Sequence, residues 1–586
     1  MILQALYDYY QRKADDPDPA RRLPRFGFED KEIPFVVELT AEGKPLGIAD
    51  TRQPDGKKKV ARRYLVPKGV KRSSGVAANL LWDTAEYVLG VDTRGKPERV
   101  AEQHAAFRQR LQDLPEAARA DAGLRAIEAF YAAGGSALLV DDPSWPEILE
   151  TNPNLTFRLY PESDLICQRP AVAGGFGIGD EEGGRAAGGI CLVTGEAGEI
   201  ERLHTAVKGV WGAQSSGASL VSFNLDAFTS FNKAQGDNAP VSSAAAFAYT
   251  TALNHLLDRN SRQRLQVGDA STVFWAQKGG ATIEEGFGDV FGEPAHDDPD
   301  ARTDRIRSLL GAVQSGQFDG GEGQDRFFVL GLAPNAARLA VRFWHAGTVG
   351  EVGRRIGDWF EDLRLVRGPN DAEFPSLFRL LTACAAQRKA DNVPPNLGGD
   401  IMRAVLSGGV FPMSWFNAAV QRCRAEQNVN YLRAAAIKAC LNRLARQSDA
   451  SIAIKEFSSM LDLNDVRPAY RLGRLFAALE KIQEEASPSL NATIRERYYG
   501  AASSTPVSVF TTLLRLKQHH LAKLSNRGRA VNFERLIGEI MGGLSDFPKH
   551  LSLPEQGHFA LGYYHQRQDF FSKSSQSDES TQGESK

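Results

Sequence analysis

The chain has 586 residues, 42% of them hydrophobic and 24% charged, with a net charge of −2. That is an ordinary globular composition with ample apolar material for buried cores, and it excludes a wholly basic nucleic-acid coat. No run of about 18 apolar residues occurs, so no membrane span is expected.

The opening, MILQALYDYYQRKADD, lacks a basic start, an apolar run and a small-residue cleavage site, and reads as the start of a cytosolic protein. Ile2, Leu3, Leu6, Tyr7 and Tyr10 recur at helical spacing and predict a helix over 2–13. PFVVELTAEGKPLGIADTR (34–52) sets two apolar runs around a Gly-Lys turn, the pattern of a hairpin. Residues 57–72 are basic. Leu80, Leu81, Ala85, Val88 and Leu89 predict a helix over 76–90, residues 97–133 two charged helices, and LTFRLYP (155–161) a strand.

The stretch 174–190, GGFGIGDEEGGRAAGGI, reads as a flexible insertion. Its glycines are no dinucleotide fingerprint: no apolar helix follows, and acids sit where a phosphate would approach. Residues 281–325, rich in acids and glycines, read as a second loop-rich insertion. Around it lie the strand candidates STVFWAQ (271–277) and RFFVLGL (326–332), followed by the alternating LAVRFWH (339–345).

From about residue 350 helical periodicity takes over. Tyr470, Leu472, Leu475, Phe476, Leu479 and Ile482 line one face, and Phe533, Leu536, Ile537, Ile540 and Leu544 another. The fold class is therefore α+β: a mixed α/β N-terminal region (1–350), then an α-helical C-terminal part. The latter comprises a connecting region (351–459), a bundle (460–573) and a polar, disordered tail (574–586).

No GxxxxGK[ST] loop, HExxH or GxSxG elbow is present. His296-Asp297 sits in an acidic Pro-Asp loop without partner histidines, and His519-His520 point to different faces of a helix. The five cysteines, Cys167, Cys191, Cys384, Cys423 and Cys440, form no CxxC pair. A site from Cys167, Cys191 and His204 would lack a fourth ligand, so inert cysteines and no metal or cofactor are expected.

The charges are segregated. Between Asp55 and Asp83 no acid occurs, but Lys57, Lys58, Lys59, Arg62, Arg63, Lys68, Lys71 and Arg72 do. Eight cations without an anion suit a polyanion, and Lys71-Arg72-Ser73-Ser74-Gly75 before a helix suits phosphate contact. From Arg497 to Phe533 no acid occurs either; Leu513, Leu514, Leu521 and Leu524 would face a bundle and the cations of a 507–525 helix the outside. That face is a solubilising surface or a track for single-stranded DNA. The third concentration, 212–243, is rich in amides, serines and glycines, able to read base edges or to order a polar loop.

YLVPKGVKRSSGVAANLLWDTAEYVLG (64–90), CLVTGE (191–196), the block 208–257, RFFVLGLAPNAARLAVRFW (326–344), VPPNLGGDIMRAVLSGG (393–409) and HLSLPEQGHFALGYYHQRQ (550–568) together resemble the large-subunit family of the type I-C CRISPR Cascade complex. The resemblance implies a non-catalytic, cytoplasmic prokaryotic subunit. It would sit beside the crRNA and its 5′-handle-binding subunit, with the backbone and small subunits. It would help recognise the protospacer-adjacent motif in double-stranded DNA, support R-loop formation against the displaced single strand, and dock the helicase-nuclease. With that role, Lys71, Arg72 and Asn79 are expected near the duplex, Gln214, Asn232, Lys233 and Asn238 as motif readers, and Arg515, Lys517, Lys523, Arg527 and Arg529 along the displaced strand. A DNA-processing nuclease and a purely structural assembly subunit are the alternatives.

The family resemblance also implies a separate small subunit from the 3′ part of the gene. Met460 is the candidate internal start: Lys455-Glu456 can be encoded AAG-GAG, a ribosome-binding sequence, and a helical unit follows. Residues 460–573 hold 15 Lys/Arg and 11 Asp/Glu, a net of +4.

Overall fold

The computed structural model describes the chain except residues 19–20, 56–57, 71–74, 174–187, 279–281, 293–298, 317–320, 448–454, 489–490 and 583–586. The fold is α+β, with its strands in the N-terminal part and a helical C-terminal part. Two compact units emerge. One holds Tyr10–Arg202 with Gly236–Thr251; the other holds Met1–Tyr9, Leu203–Gln235 and Ala252–Lys586.

In the first unit a four-stranded sheet has the order Pro45–Asp50, Phe35–Leu39, Asn154–Leu159, Trp82–Thr84. Pro45–Asp50 and Phe35–Leu39 form the expected hairpin, and Phe35–Leu39 runs parallel to Asn154–Leu159. A central strand covered on both faces reads as a continuous apolar run, and FVVEL buries all but Glu38. Helices Pro97–Gln112 and Ala122–Ala132 bring Phe107, Leu111, Ile127 and Phe130 into the same core. Asp121 caps the second helix, accepting from Gly123 N–H at 2.7 Å.

The helix expected over 76–90 does not form. Residues 76–81 are irregular, Trp82–Thr84 is a strand, and only Ala85–Val88 is helical. The reason is local competition for backbone donors: Asp83 accepts from Asn79 N–H and Thr84 N–H, both at 2.8 Å. Buried Leu81 takes a left-handed φ of +62°.

The second unit contains an antiparallel sheet in the order Arg264–Val267, Ala270–Ala276, Arg326–Asn335, Arg338–Thr348. Phe274, Phe327, Val329 and Phe343 join the main helical core. Trp275 meets Tyr9 of the first helix, Ile2–Ala14, edge to face with ring centroids 6.3 Å apart. Within 281–325, expected to be loop-rich, the described residues hold two helices, Thr282–Phe291 and Pro299–Gln314. Ile283, Phe287, Val290 and Phe291 keep the helical period under the surrounding acids and glycines, and all four are buried.

Helix Tyr431–Gln447 is buried nearly all round over Tyr431–Arg443, with the cations Arg433, Lys438 and Arg443 inside. Arg433 donates to the carbonyls of Ala383 and Asn428 and to Glu426. Arg443 pairs with fully buried Asp362 at 2.5 Å, and Lys438 donates to the carbonyls of Glu361 and Asp362. These charges staple loops to the helix rather than face water.

The bundle is built on the crossing of Pro468–Ala486 with Leu553–Gln582. Gly473 and Gly562 bring the backbones together, because a methyl at either position would overlap the carbonyl oxygen of Phe559 or of Tyr470. Buried Glu480 accepts from Tyr563 Oη at 2.6 Å and Thr493 Oγ1 at 2.9 Å, with Arg495 and Arg567 beside it. Helices Ile494–Ala502, Val507–Lys523 and Arg527–Met541 complete the layer. The last helix runs to Gln582, through most of the segment expected to be a disordered tail; no glycine or proline falls between Gly562 and Gly583 to end it.

His565, on that helix, shares a 2.8 Å hydrogen bond with Tyr470 Oη, and burial pushes its pKa down to about 3. It stays neutral in the fold, while the unfolded chain protonates it near pH ~6.5. Stability is therefore complete above that value and falls as the pH drops towards 3, costing about 2 kcal/mol at about pH 5. Thermal melts at about pH 5 and pH 7.5 should show this loss together with that from half-buried His558 and His204, whose pKa values are also pushed down to about 4, and His565→Asn should remove only its own share.

Candidate nucleic-acid interface

Three regions were candidates. In the first unit the acid-free run is less unbalanced in space than in sequence. Strand Arg63–Pro67 pairs antiparallel with Phe28–Glu32, which sets Arg63 against Asp30 at 2.8 Å and Glu32 at 3.6 Å. Lys59 lies 3.8 Å from Asp50, and Arg62 covers the Tyr64 ring at 5.1 Å. Lys68 is exposed. Lys71 and Arg72 lie outside the described residues, and so do Lys57, His296 and Asp297. Among the described residues no helix starts at Gly75 or Val76 that could support an anion there; the nearest is Ala85–Val88.

Asn79 is buried, not presented to a duplex. Its Oδ1 accepts from Val70 N–H at 3.0 Å, and its own N–H donates to Asp83. Gly69 N–H donates to Glu29 and Trp82 Nε1 to the Pro67 carbonyl at 2.6 Å. These groups wall a shallow cavity of about 280 Å³, with Lys31 lying 5.1 Å over the Trp82 ring. Asn79 and Asp83 thus pin residue 70 beside residue 79, the two sides of the stretch that carries Lys71 and Arg72.

The amide-rich block is ordered. In the second unit, Val207 and Ala218 exchange backbone hydrogen bonds, and Ser219 bonds to Ala337 and Leu339 at the start of the strand Arg338–Thr348. Arg338 donates to Asn224 Oδ1 at 2.7 Å and lies 4.2 Å over the Phe228 ring. From this base Gln214, Asn232 and Lys233 are exposed. Asn238 is half-buried in the short turn Gln235–Asn238, at the start of a segment of the first unit. Sequence reasoning passed over the aromatics of this block. Trp211 is 64% and Phe231 94% exposed. The signal was an aromatic before the turn-forming Asn232.

On the bundle, Arg515, Lys523 and Arg527 are exposed, as expected, and make no ion pair among the described residues. Lys517 and Arg529 differ. Lys517 is buried and bonds both oxygens of Glu534 at 2.9 and 3.0 Å; Arg529 pairs with Glu485 at 2.7 Å and covers Phe533. Their partners come from outside the acid-free stretch, on neighbouring helices.

All five cysteines are buried and free. Burial raises the thiols of Cys384 and Cys423 to about 12. At Cys191 burial also raises the pKa, but hydrogen bonds from Ser242 and Thr194 outweigh it and bring it to about 7. Among the described residues no group of three or more His, Cys, Asp or Glu is placed to hold a metal ion, and no helix is long and apolar enough to cross a membrane.

An ordered α+β scaffold that displays amides and isolated cations from separate elements is the class these features define. A family model described as CRISPR-associated protein (Cas_Csd1) matches residues 6–571. The chain belongs to this family of CRISPR-associated large subunits, to which its sequence pointed. No curated protein matches the chain.

The Lys517 pair makes a prediction about stability. Lys517→Met, which keeps length and drops charge, should stay within about 1 kcal/mol of wild type. Glu534→Ala, which strands the ammonium, should cost on the order of 1–2 kcal/mol, discounted for the half-exposed carboxylate. Denaturant titration measures both.

Proposed function

We propose that this chain is the large subunit of a type I-C Cascade complex, recognising the protospacer-adjacent motif in duplex DNA, supporting R-loop formation and docking the helicase-nuclease. It acts in the cytoplasm of a prokaryote as a binding scaffold, and bond cleavage is left to the docked enzyme. Its partners are the crRNA with its handle-binding subunit, and the backbone and small subunits. The observation that carries this reading is the 211–235 block. Backbone pairs and Arg338 fix it to the sheet, and it turns Gln214 and Asn232 outwards. Amides on a fixed base suit base-edge readout, which demands donors and acceptors held in place. Arg515, Lys523 and Arg527 supply a cationic face suited to a sugar-phosphate backbone without sequence preference.

Lys71→Ala with Arg72→Ala should weaken binding of target duplex by the assembled complex by about 1–3 kcal/mol and flatten the dependence of log affinity on log salt. Unchanged affinity and slope would remove both residues from the interface. Labelled DNA incubated with the purified chain and Mg²⁺ or Mn²⁺ should stay intact; cleavage would favour the nuclease reading.

The internal product belongs to the same proposal. Met460 is exposed in an irregular stretch before the helix Pro468–Ala486. Just upstream, Asn442 clamps Phe457 with two backbone hydrogen bonds of 2.8 and 3.0 Å. A product starting at Met460 keeps all five bundle helices and loses that clamp. Synonymous recoding of Lys455-Glu456 should abolish the short product on an immunoblot of the C-terminus; its persistence would disprove this start signal.

A further inference from the structure

Phe231 is the most exposed large hydrophobic residue among those described, at 94%. It occupies an unusual backbone. Phe231 and Asn232 have φ of +51° and +57°, and Lys233 N–H donates to the Ser230 carbonyl at 2.9 Å, closing a two-residue turn with an antiparallel bridge. Both central residues of such a turn need positive φ, which favours Asn and Gly and strains a bulky side chain. The fold therefore bears two costs at one place: a strained aromatic, and a ring in water. Neither contributes to the stability of the isolated chain.

The turn is not loose. Thr229 Oγ1 donates to the Asp226 carbonyl at 2.7 Å, and Phe228, three residues back, lies under the Arg338 guanidinium. The ring is held out from a fixed base.

We propose that Phe231 stacks on an unpaired nucleobase of the target DNA. This rests on the DNA-binding reading above and adds a residue to it. The surroundings favour a base over a protein pocket. Thr229, Ser230, Asn232, Lys233 and Ala234 are all exposed around the ring. A protein hot spot sits in an apolar patch that excludes water, whereas the chain neighbours of this ring, Thr229, Ser230, Asn232 and Lys233, are polar and exposed. A base needs a flat face, with an amide and a cation at its edge for base and phosphate.

The test uses the complete guide-loaded complex. Its targets are a fully paired DNA and the same DNA with mismatched, unpaired positions beside the motif. Phe231→Ala should weaken binding of the paired target by about tenfold to a hundredfold, since stacking on a single base carries about that much. Phe231→Trp should retain binding. Phe231→Gly, which relieves the backbone, should melt no lower than wild type and still lose affinity. Wild-type affinity for Phe231→Ala, with binding weakened by Arg515→Ala, Lys523→Ala and Arg527→Ala together, would overturn the stacking role alone. Wild-type affinity for both variants would overturn the DNA-binding reading with it. Loss of the other subunits from Phe231→Ala on purification would assign the ring to a protein contact, and the proposal would fall.

Discussion

The helical part of the molecule depends on the backbone-to-backbone crossing of Pro468–Ala486 with Leu553–Gln582. Gly473 and Gly562 permit it by presenting no side chain to the opposing carbonyls. Once the helices are that close, Tyr470 reaches His565 and Tyr563 reaches Glu480. The buried carboxylate is then satisfied by hydroxyls and flanked by arginines, the condition under which a charge can be left in a core. The remaining helices can settle only on the outer sides of this pair. Their orientation decides which cations meet solvent and which meet a neighbour.

That is why runs of charge along the chain are an incomplete guide to the surface. An acid-free stretch has no anion along the chain, but folding supplies anions from elsewhere. Glu534 and Glu485 take Lys517 and Arg529, while Asp30 and Glu32 take Arg63. Lys517 is four residues before Leu521 and four after Leu513, so it lies on the apolar stripe that the leucines define. Its burial could have been read from spacing, had position been weighed with residue type. Arg433, Lys438 and Arg443 carry the same lesson, since all three point into the protein.

Where one periodicity dominated, the sequence was legible. The first helix, the 34–52 hairpin, the strands around 271–277, 326–332 and 339–345, and the bundle helices appear near their expected positions. The failures share a cause. Over 76–90 the apolar spacing was helical, but Asn79 and Asp83 captured the backbone donors. Over 281–325 the apolar spacing was also helical, and charge and glycine content drew attention from it. The amide block was recognised from composition alone; its anchoring through Arg338, more than a hundred residues away in sequence, was not visible to any local pattern.

Asn79 changes what a substitution scan of this protein would mean. Its amide oxygen accepts from Val70 N–H and its own N–H donates to Asp83, so replacing it would loosen the hold between residues 70 and 79. On the DNA-binding function proposed above, such a variant would register as a weakened binder although the residue is buried. A map of contacts drawn from loss of binding would therefore extend into the core of the first unit, and the tightest-scoring positions need not be the ones nearest the ligand.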